Sequence, residues 1–287
     1  MTSASAALLS SRALIRVNGP DAAEFLQGLI SNDIARATGE AALYAALLTP
    51  QGKFLHDFLI VRQGEDYLID TPRMRRDDLV QRLLRYRLRA KVTVAADDDL
   101  AVAAIWGGGA NADGDVIAAP DPRVDALGTR LWGPEPALRA AFARVDASMT
   151  SEIAYHAYRM ALGVPEGDDF APEQAFLLEG NAEELHGVDF RKGCYVGQEL
   201  TARMKHRGTA RRRILIVHAD GALPAPGTPL TAEGGEIGVM RGSSDSVGLA
   251  LVRLDRLPST MAAEAGGIAV RLAWPAYLSP VHQGISP

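Results

Sequence analysis

Apolar positions in the first part of the chain follow a helical period at one place and form strand-like runs at three others. In DAAEFLQGLISNDI, which begins at Asp21, apolar residues recur at helical spacing. Asn32 and Asp33 then end the predicted helix in a polar turn. Short apolar runs bounded by turn-forming residues predict strands at 43–48, 54–61 and 67–70. The pattern therefore predicts an N-terminal region of class α+β.

A basic helix is predicted next, opening at Thr71 and Pro72 and continuing through RMRRDDLVQRLLRYRLRAKV. One side carries an apolar stripe and the other a basic one: Leu79, Leu83 and Tyr86 against Arg82, Arg85 and Arg89. No aromatic platform accompanies these charges. We therefore interpret the basic side as a solvated helix face and not as a nucleic-acid surface.

The rest of the chain changes from a mixed pattern to an all-β pattern. Residues 97–150 are rich in Gly, Ala, Asp and Pro, and their pattern predicts no individual elements. SEIAYHAYRMALGVP predicts a helix that stops at Gly163 and Pro165. From Arg212 onward, short apolar runs alternate with Gly, Pro and Ser clusters, which is typical of a small β-barrel. We place the boundary near residue 210, with an α+β region at 1–210 and a β-barrel domain at 211–287.

Composition narrows the classes of function. The 287 residues include 30 Lys and Arg and 35 Asp and Glu, which gives a net charge of -5. This overall charge does not favour binding of the whole chain to a polyanion such as a nucleic acid. A single cysteine excludes an intrachain disulfide and favours a reducing compartment. No apolar run is long enough to span a bilayer, and the N-terminal segment does not fit a signal sequence. These features predict a protein that acts in the cytoplasm without a membrane partner.

Several standard chemistries are missing from the sequence. It contains no GxSxG, HExxH, CxxC or GxxxxGK[ST] motif. Its six histidines never pair at helical spacing, so we predict no metal site. The only cysteine lies in VDFRKGCYVGQE, where Gly193 and Gly197 indicate a tight, exposed turn. Arg191 and Lys192 precede Cys194, and nearby cations favour the thiolate. From these residues alone, a reactive thiol and a small buried apolar residue remain equally good interpretations of Cys194.

The wider string VDFRKGCYVGQELTARMKHRG resembles the KGC[FY]xGQE motif of the YgfZ-type folate-binding proteins. These are relatives of the aminomethyltransferase (T-protein) of glycine cleavage and assist the maturation of iron-sulfur proteins. The matching motif residues are Lys192, Gly193, Cys194, Tyr195, Gly197, Gln198 and Glu199. RVNGPDAAEFLQGLISND, LLTPQGKFLHDFLIV, YRMALGVP and APEQAFLLEGN resemble further blocks of that family in the same order. The resemblance extends from about residue 14 to residue 213.

The resemblance implies a three-part fold around a central cavity, in which two interleaved α+β domains precede the barrel. It implies tetrahydrofolate as the ligand, with Asp57 and Glu173 as carboxylates near the pterin and Arg159 as a positioning residue. Asn32 and Asp33 match a polar turn that lines the cavity. Without the family, Asp57 is an edge-strand aspartate and Glu173 a residue favoured at a helix N-terminus.

We therefore expect a tetrahydrofolate-binding factor that assists the assembly or repair of iron-sulfur clusters through transient contact with client or assembly proteins. Cys194 is the expected reactive group, with Lys192 and Asp57 as further catalytic candidates. The transferases have a hydrophobic residue where this chain has the KGC segment, which argues for the assembly branch. A folate-dependent aminomethyltransferase and a purely structural adaptor remain as alternatives. Six Lys or Arg between 203 and 213 are either a solvated linker or an attractor for a folate tail or an acidic partner.

Overall fold

The computed structural model describes residues 4–110, 113–208 and 210–278. Within them lie five α-helices: α1 Ala22–Gln27, α2 Arg76–Arg87, α3 Glu135–Arg144, α4 Glu152–Ala161 and α5 Gln198–Arg207. The strands before α3 are β1 Ser5–Leu8, β2 Arg12–Asn18, β3 Leu43–Leu48, β4 Phe54–Gln63, β5 Asp66–Pro72, β6 Thr93–Asp97, β7 Ala101–Trp106, β8 Ile117–Pro120 and β9 Thr129–Gly133. The later strands are β10 Ser148–Met149, β11 Arg212–His218, β12 Pro229–Ala232, β13 Gly235–Ser244, β14 Val247–Arg253, β15 Ala262–Ala265 and β16 Ile268–Ala273.

Two five-stranded sheets are interleaved along the chain. The first has the order β3-β4-β5-β2-β6, and the second has the order β10-β1-β7-β9-β8. Strand β1 therefore pairs with β7 and β10, which begin 96 and 143 residues after it, while β2 to β6 form their own sheet in between. The sequence pattern predicted no elements for 97–150, because the strands there, such as AVAAIW, are short and alanine-rich.

A shared core lies between the two sheets. Its side chains come from both of them and from the loop after α4, and Phe54 stacks on Phe170 with 4.4 Å between ring centroids. Helices α1 and α2 cover the outer face of the first sheet through residues such as Phe25 and Leu83. Helix α3 covers the outer face of the second sheet through Leu138 and Phe142. Each sheet is thus buried on both faces, as the long apolar runs in β3 and β4 require.

The C-terminal strands close into the barrel β11-β14-β13-β12-β15-β16. The predicted C-terminal β-barrel is thereby confirmed, although residues 279–287 of the predicted domain lie outside the described residues. Its interior is filled by apolar residues that include Leu215, Met240 and Val252. On its outer surface, Ile214 and Leu251 pack against Met160 of α4. No helix in the described part of the chain is long and apolar enough to cross a membrane.

Two predicted elements have different bounds in the structure. Thr71 and Pro72 do not open the basic helix, because Thr71 and Pro72 pair with β2 as the end of β5. The helix begins only at Arg76. Residues 203–207 are not a linker, because they form the second half of α5.

Candidate functional site

The loop that carries Cys194 is anchored by the lysine two positions before it. Lys192 Nζ donates to the backbone carbonyl oxygens of Gln27, Ile30 and Asn32, at 2.7, 2.6 and 3.0 Å. Gln27 is the last residue of α1, so the ammonium satisfies carbonyls left without partners where that helix ends. Burial lowers the pKa of Lys192 to about 8, and its three acceptors match the three protons of the charged form. The sequence placed Lys192 beside the thiol as a catalytic candidate, but the structure uses its charge to hold the loop.

The next two residues are open to solvent. A side chain built on Gly193 would meet no atom within 4 Å, and the thiol of Cys194 is exposed. This position excludes the buried apolar interpretation of the cysteine. Asp189 steadies the loop from the other side, because its Oδ1 accepts from the backbone nitrogen atoms of Arg191 and Lys192.

The second half of the motif docks the loop on the turn between β3 and β4. Gly197 has φ +82°, and a Cβ there would lie 2.5 Å from the carbonyl oxygen of Thr49. Only glycine permits that approach, because the backbone conformation and the contact both exclude a side chain. The Gln198 side chain accepts from the backbone nitrogen of Tyr195 at 3.1 Å, and the Tyr195 ring is buried in the shared core. Glu199 occupies the first turn of α5, where its charge complements the helix dipole.

Asn32 and Asp33 lie in the turn whose backbone carbonyl at Asn32 accepts from Lys192. The Asn32 amide donates to the carbonyl oxygens of Tyr44 and His186, and its own side-chain oxygen accepts from the Asp33 nitrogen. Asp33 Oδ1 accepts from the Ala35 nitrogen and so caps a short 3-10 turn. Both predicted binding residues therefore have structural partners next to Lys192.

Asp57 is buried on β4 and 1% exposed, so it is not the exposed edge-strand aspartate considered above. Its Oδ1 accepts from the Gly167 nitrogen at 2.8 Å, and its Oδ2 accepts from the Tyr44 hydroxyl at 3.3 Å. Burial raises the pKa of Asp57, while the charge of Arg12 acts in the opposite direction. In this arrangement the carboxyl group contacts protein and not an open cavity.

A buried charged network surrounds Asp57 and joins the two sheets. Glu166 lies at its centre, 2.6 Å from Arg123 and between 3.5 and 3.7 Å from Arg12, Arg130 and Arg159. Burial alone would raise the pKa of Glu166, but these guanidinium groups lower it well below its usual range. Arg159 also donates to Asp169 and to the Val164 carbonyl oxygen. The predicted positioning role of Arg159 therefore corresponds here to holding the loop after α4.

Glu173 does not join Asp57 and Arg159, the other residues that the resemblance assigned to the folate site. Its side chain is 63% exposed and forms an ion pair with Arg82 of α2 at 3.1 Å. Its φ is +63°, so it begins no helix. A second glutamate six residues later, which sequence reasoning missed, is buried instead: Glu179 accepts from Arg212 through both oxygens at 2.8 Å. The available signal was the short apolar segment AFLL directly before it, which indicates a buried environment.

Glu179 lines a groove of about 560 Å³ between α5 and the barrel. Its apolar wall is formed by Phe176, Leu200 and Met204. Its charged rim is formed by three arginines, Arg211, Arg212 and Arg253, and by two carboxylates, Glu179 and Glu236. Arg241 lies close enough to Arg212 to be affected by its charge, and burial together with that charge lowers the pKa of Arg241. Arg241 Nε is buried without a hydrogen-bond partner. The groove thus combines an apolar wall with an excess of cationic groups. Among the residues that the structure describes, no cluster of His, Cys, Asp and Glu could hold a metal ion.

Comparison with known proteins gives matches in both halves of the chain. The family model described as the GCVT N-terminal domain matches residues 3–117, and that described as CAF17, C-terminal beta-barrel domain, matches residues 211–280. Aminomethyltransferase T of the glycine cleavage system from Bartonella henselae superposes with a TM-score of 0.75 over 96% of this chain and 87% of that chain. At 17% identity this likeness shows the fold alone, and it confirms the fold expected from the sequence.

Curated relatives are similar over most of the chain. The iron-sulfur cluster assembly factor IBA57 of Homo sapiens is 35% identical over 298 residues, covering 92% of this chain and 82% of that protein. The Mus musculus factor is 35% identical, with 87% and 77% covered. The Neurospora crassa homologue is 37% identical over 75% of this chain, which spans only 54% of that longer protein. All three are mitochondrial proteins, and this finding contradicts the predicted cytoplasmic localisation.

Proposed function

Because the chain belongs to the family of the iron-sulfur cluster assembly factor IBA57, we propose that it takes part in assembling iron-sulfur clusters in other proteins. The resemblance to YgfZ-type proteins identified the wider group but not this branch of it. Transient contact with iron-sulfur assembly proteins follows from the same proposal.

The observation that carries the proposal is an exposed thiol on a fixed loop. Lys192 and Gly197 hold the two ends of the loop, and Cys194 projects between them into solvent. A thiolate is the ligand that iron-sulfur clusters use, but a stable cluster generally takes four of them. One cysteine therefore supplies a single ligand to a cluster whose other ligands belong to a partner or to a small thiol.

Cys194→Ser is expected to abolish rescue of iron-sulfur enzyme activity in a strain that lacks this protein. Serine is close to cysteine in size but binds soft metals poorly, so folding should remain unchanged. Aconitase-type activity and the thermal unfolding midpoint of the purified variant measure the two effects. Ser259→Ala is a suitable control, because Ser259 is an exposed residue of the barrel domain. Full rescue by Cys194→Ser would remove the cluster-ligand role.

We also propose that reduced folate binds in the groove between α5 and the barrel. The apolar wall formed by Phe176, Leu200 and Met204 suits a pterin or benzoyl ring, and the arginines suit the carboxylates of a glutamate tail. Arg211 has no side-chain hydrogen bond or ion pair within the described ranges, so one cationic group of the rim remains for an anionic ligand. The chain's own residues would bind and orient the folate there.

Tetrahydrofolate should bind and stabilise the protein by about 2.7 kcal/mol at one hundred times its dissociation constant. Arg211→Gln should weaken binding roughly tenfold, about 1.4 kcal/mol, because one charged hydrogen bond is lost. Glu173→Gln is the matched control, since Glu173 lies outside the groove and pairs with Arg82. Calorimetry on the three proteins decides the matter. If the Arg211→Gln variant binds tetrahydrofolate with wild-type affinity, the binding site is not this groove. If no reduced folate gives a heat of binding, the protein does not bind folate.

The aminomethyltransferase alternative gains no support from the geometry around Asp57. A transferase needs a carboxylate that can hold or move a proton on its substrate. Asp57 is instead enclosed by Gly167, Tyr44 and the charged network. We therefore retain the assembly function as the conclusion.

A further inference from the structure

The segment that ends α2 concentrates unpaired positive charge on the surface. Arg85, Arg87, Arg89 and Lys91 are exposed, and their side chains make no hydrogen bond or ion pair with any residue in the described part of the chain. Earlier on the same helix, Arg82 pairs with Asp78 and Glu173. The contrast is local, because the chain as a whole carries a net charge of -5. Intramolecular ion pairs therefore do not account for this cluster, which we call the basic segment.

Two apolar side chains accompany those charges. Tyr86 is 37% exposed and Leu88 is 87% exposed. Leu88 also has φ +44°, a backbone conformation that costs about 1–3 kcal/mol for a residue other than glycine. The exposed Leu88 side chain buries little apolar surface, and its backbone conformation is strained, so neither feature stabilises the folded chain. The segment thus presents an aliphatic side chain and an aromatic one among arginines, and Tyr and Arg are enriched where proteins contact each other.

The basic segment and the cysteine loop both contact the turn between β3 and β4. A cavity of about 190 Å³ joins Arg85 and Tyr86 to Thr49 and Pro50 in the turn between β3 and β4. Gly197 packs on the same turn, with Thr49 O 2.5 Å from the position of a Gly197 Cβ. Cys194 lies three positions before Gly197, so its Cα atom lies within about 11 Å of that of Gly197. A protein interface of ordinary size, about 800 Å² on each partner, can therefore cover both.

We propose that the basic segment docks an acidic protein surface and so places the ligands of that partner beside Cys194. This proposal rests on the assembly function proposed above and specifies the partner. A surface rich in Asp and Glu complements the charge of the basic segment. The association rate with such a surface is higher than with a neutral surface. A nucleic acid fits less well, because Tyr86 is the segment's only aromatic side chain and nucleic-acid surfaces stack bases on several.

The first test reverses the charge. Arg85→Glu/Arg87→Glu/Arg89→Glu should lower rescue of iron-sulfur enzyme activity at least tenfold, while the alkylation rate of Cys194 and the thermal midpoint stay at wild-type values. Arg139→Glu/Arg144→Glu, on the exposed face of α3, is the matched control and should rescue fully. If Cys194→Ser abolishes rescue but the triple variant rescues fully, the docking surface is wrong while the assembly function stands. If Cys194→Ser also rescues fully, the cluster-ligand role of the thiol fails as well, and the assembly function itself fails only if the wild-type chain does not rescue.

The second test identifies what touches the segment. A photo-crosslinking residue, p-benzoylphenylalanine, replaces Leu88 in a rescuing strain, and the adduct is mapped by mass spectrometry. The expected adduct joins position 88 to a protein segment with clustered Asp and Glu, and it disappears in the triple variant or in 0.5 M salt. An adduct to nucleic acid, to a second copy of this chain, or to a protein segment that is not acidic would overturn the proposal. So would an acidic adduct that survives the triple variant, or the lack of any adduct.

Discussion

Arg123→Met is expected to destabilise the protein by about 3–5 kcal/mol, the usual cost of removing one partner from a buried ion pair. Arg123 is buried and donates to both oxygens of Asp121, at 2.9 and 2.7 Å, and to Glu166 at 2.6 Å. Methionine fills much of the same space but leaves the two carboxylates short of a partner. Urea unfolding at pH 7 measures the loss. Arg139→Met is the control, because Arg139 forms a half-exposed pair with Glu135 that should contribute less than about 1 kcal/mol.

The same variant should show a characteristic pH dependence. Burial acts to raise the pKa of Asp121 and Glu166, but neighbouring arginines, Arg123 foremost, keep both below their usual range. Carboxyl groups with a lowered folded-state pKa stabilise the protein above their unfolded pKa of about 4, and this stability is lost as the pH falls through the folded value. Without Arg123 the lowering is smaller, so less stability remains to be lost. The deficit of the variant should therefore shrink as the pH falls from about 4.5 to about 3, and an equal deficit at pH 7 and at about pH 3 would contradict the electrostatic account.

Lys192→Met is expected to destabilise the protein by about 3 kcal/mol, since three backbone carbonyls lose a charged donor in a partly desolvated site. The loop at 188–197 should also become sensitive to limited proteolysis. Arg191→Met is the matched control one position earlier, because its exposed side chain should change stability by less than about 0.5 kcal/mol.

The two views of Lys192 give opposite results in that experiment. If the lysine acts chemically at the thiol, Lys192→Met should be as stable as the wild type and yet fail to rescue iron-sulfur enzyme activity. If the lysine anchors the loop, Lys192→Met should lower the stability and the protease resistance of the protein, and rescue should fall as a consequence. A stable, protease-resistant but inactive variant would restore the catalytic interpretation.

Local pattern was sufficient for the elements whose periodicity is strong. The β3 and β4 strands, the helix that ends before Gly163 and Pro165, and the C-terminal barrel were all predicted from runs and turn residues. The segment 97–150 was not, because its strands β7 to β9 are short and are joined to the sheet through β7, which pairs with β1 far along the chain. The start of α2 was misplaced for the same reason, since pairing with β2 extends β5 through Pro72.

At the candidate site, the sequence by itself determined the position of the only cysteine, the glycines that allow its turn and the resemblance of the surrounding motif. Tertiary structure decided what each neighbour does. The charge of Lys192 is used by carbonyls 160 or more positions earlier, Glu173 faces solvent, and Glu179 lines the groove. These differences have one physical reason. A side chain's type and spacing are local, but its partners and its exposure to water depend on which distant segments fold against it, and that information lies in no single stretch of sequence.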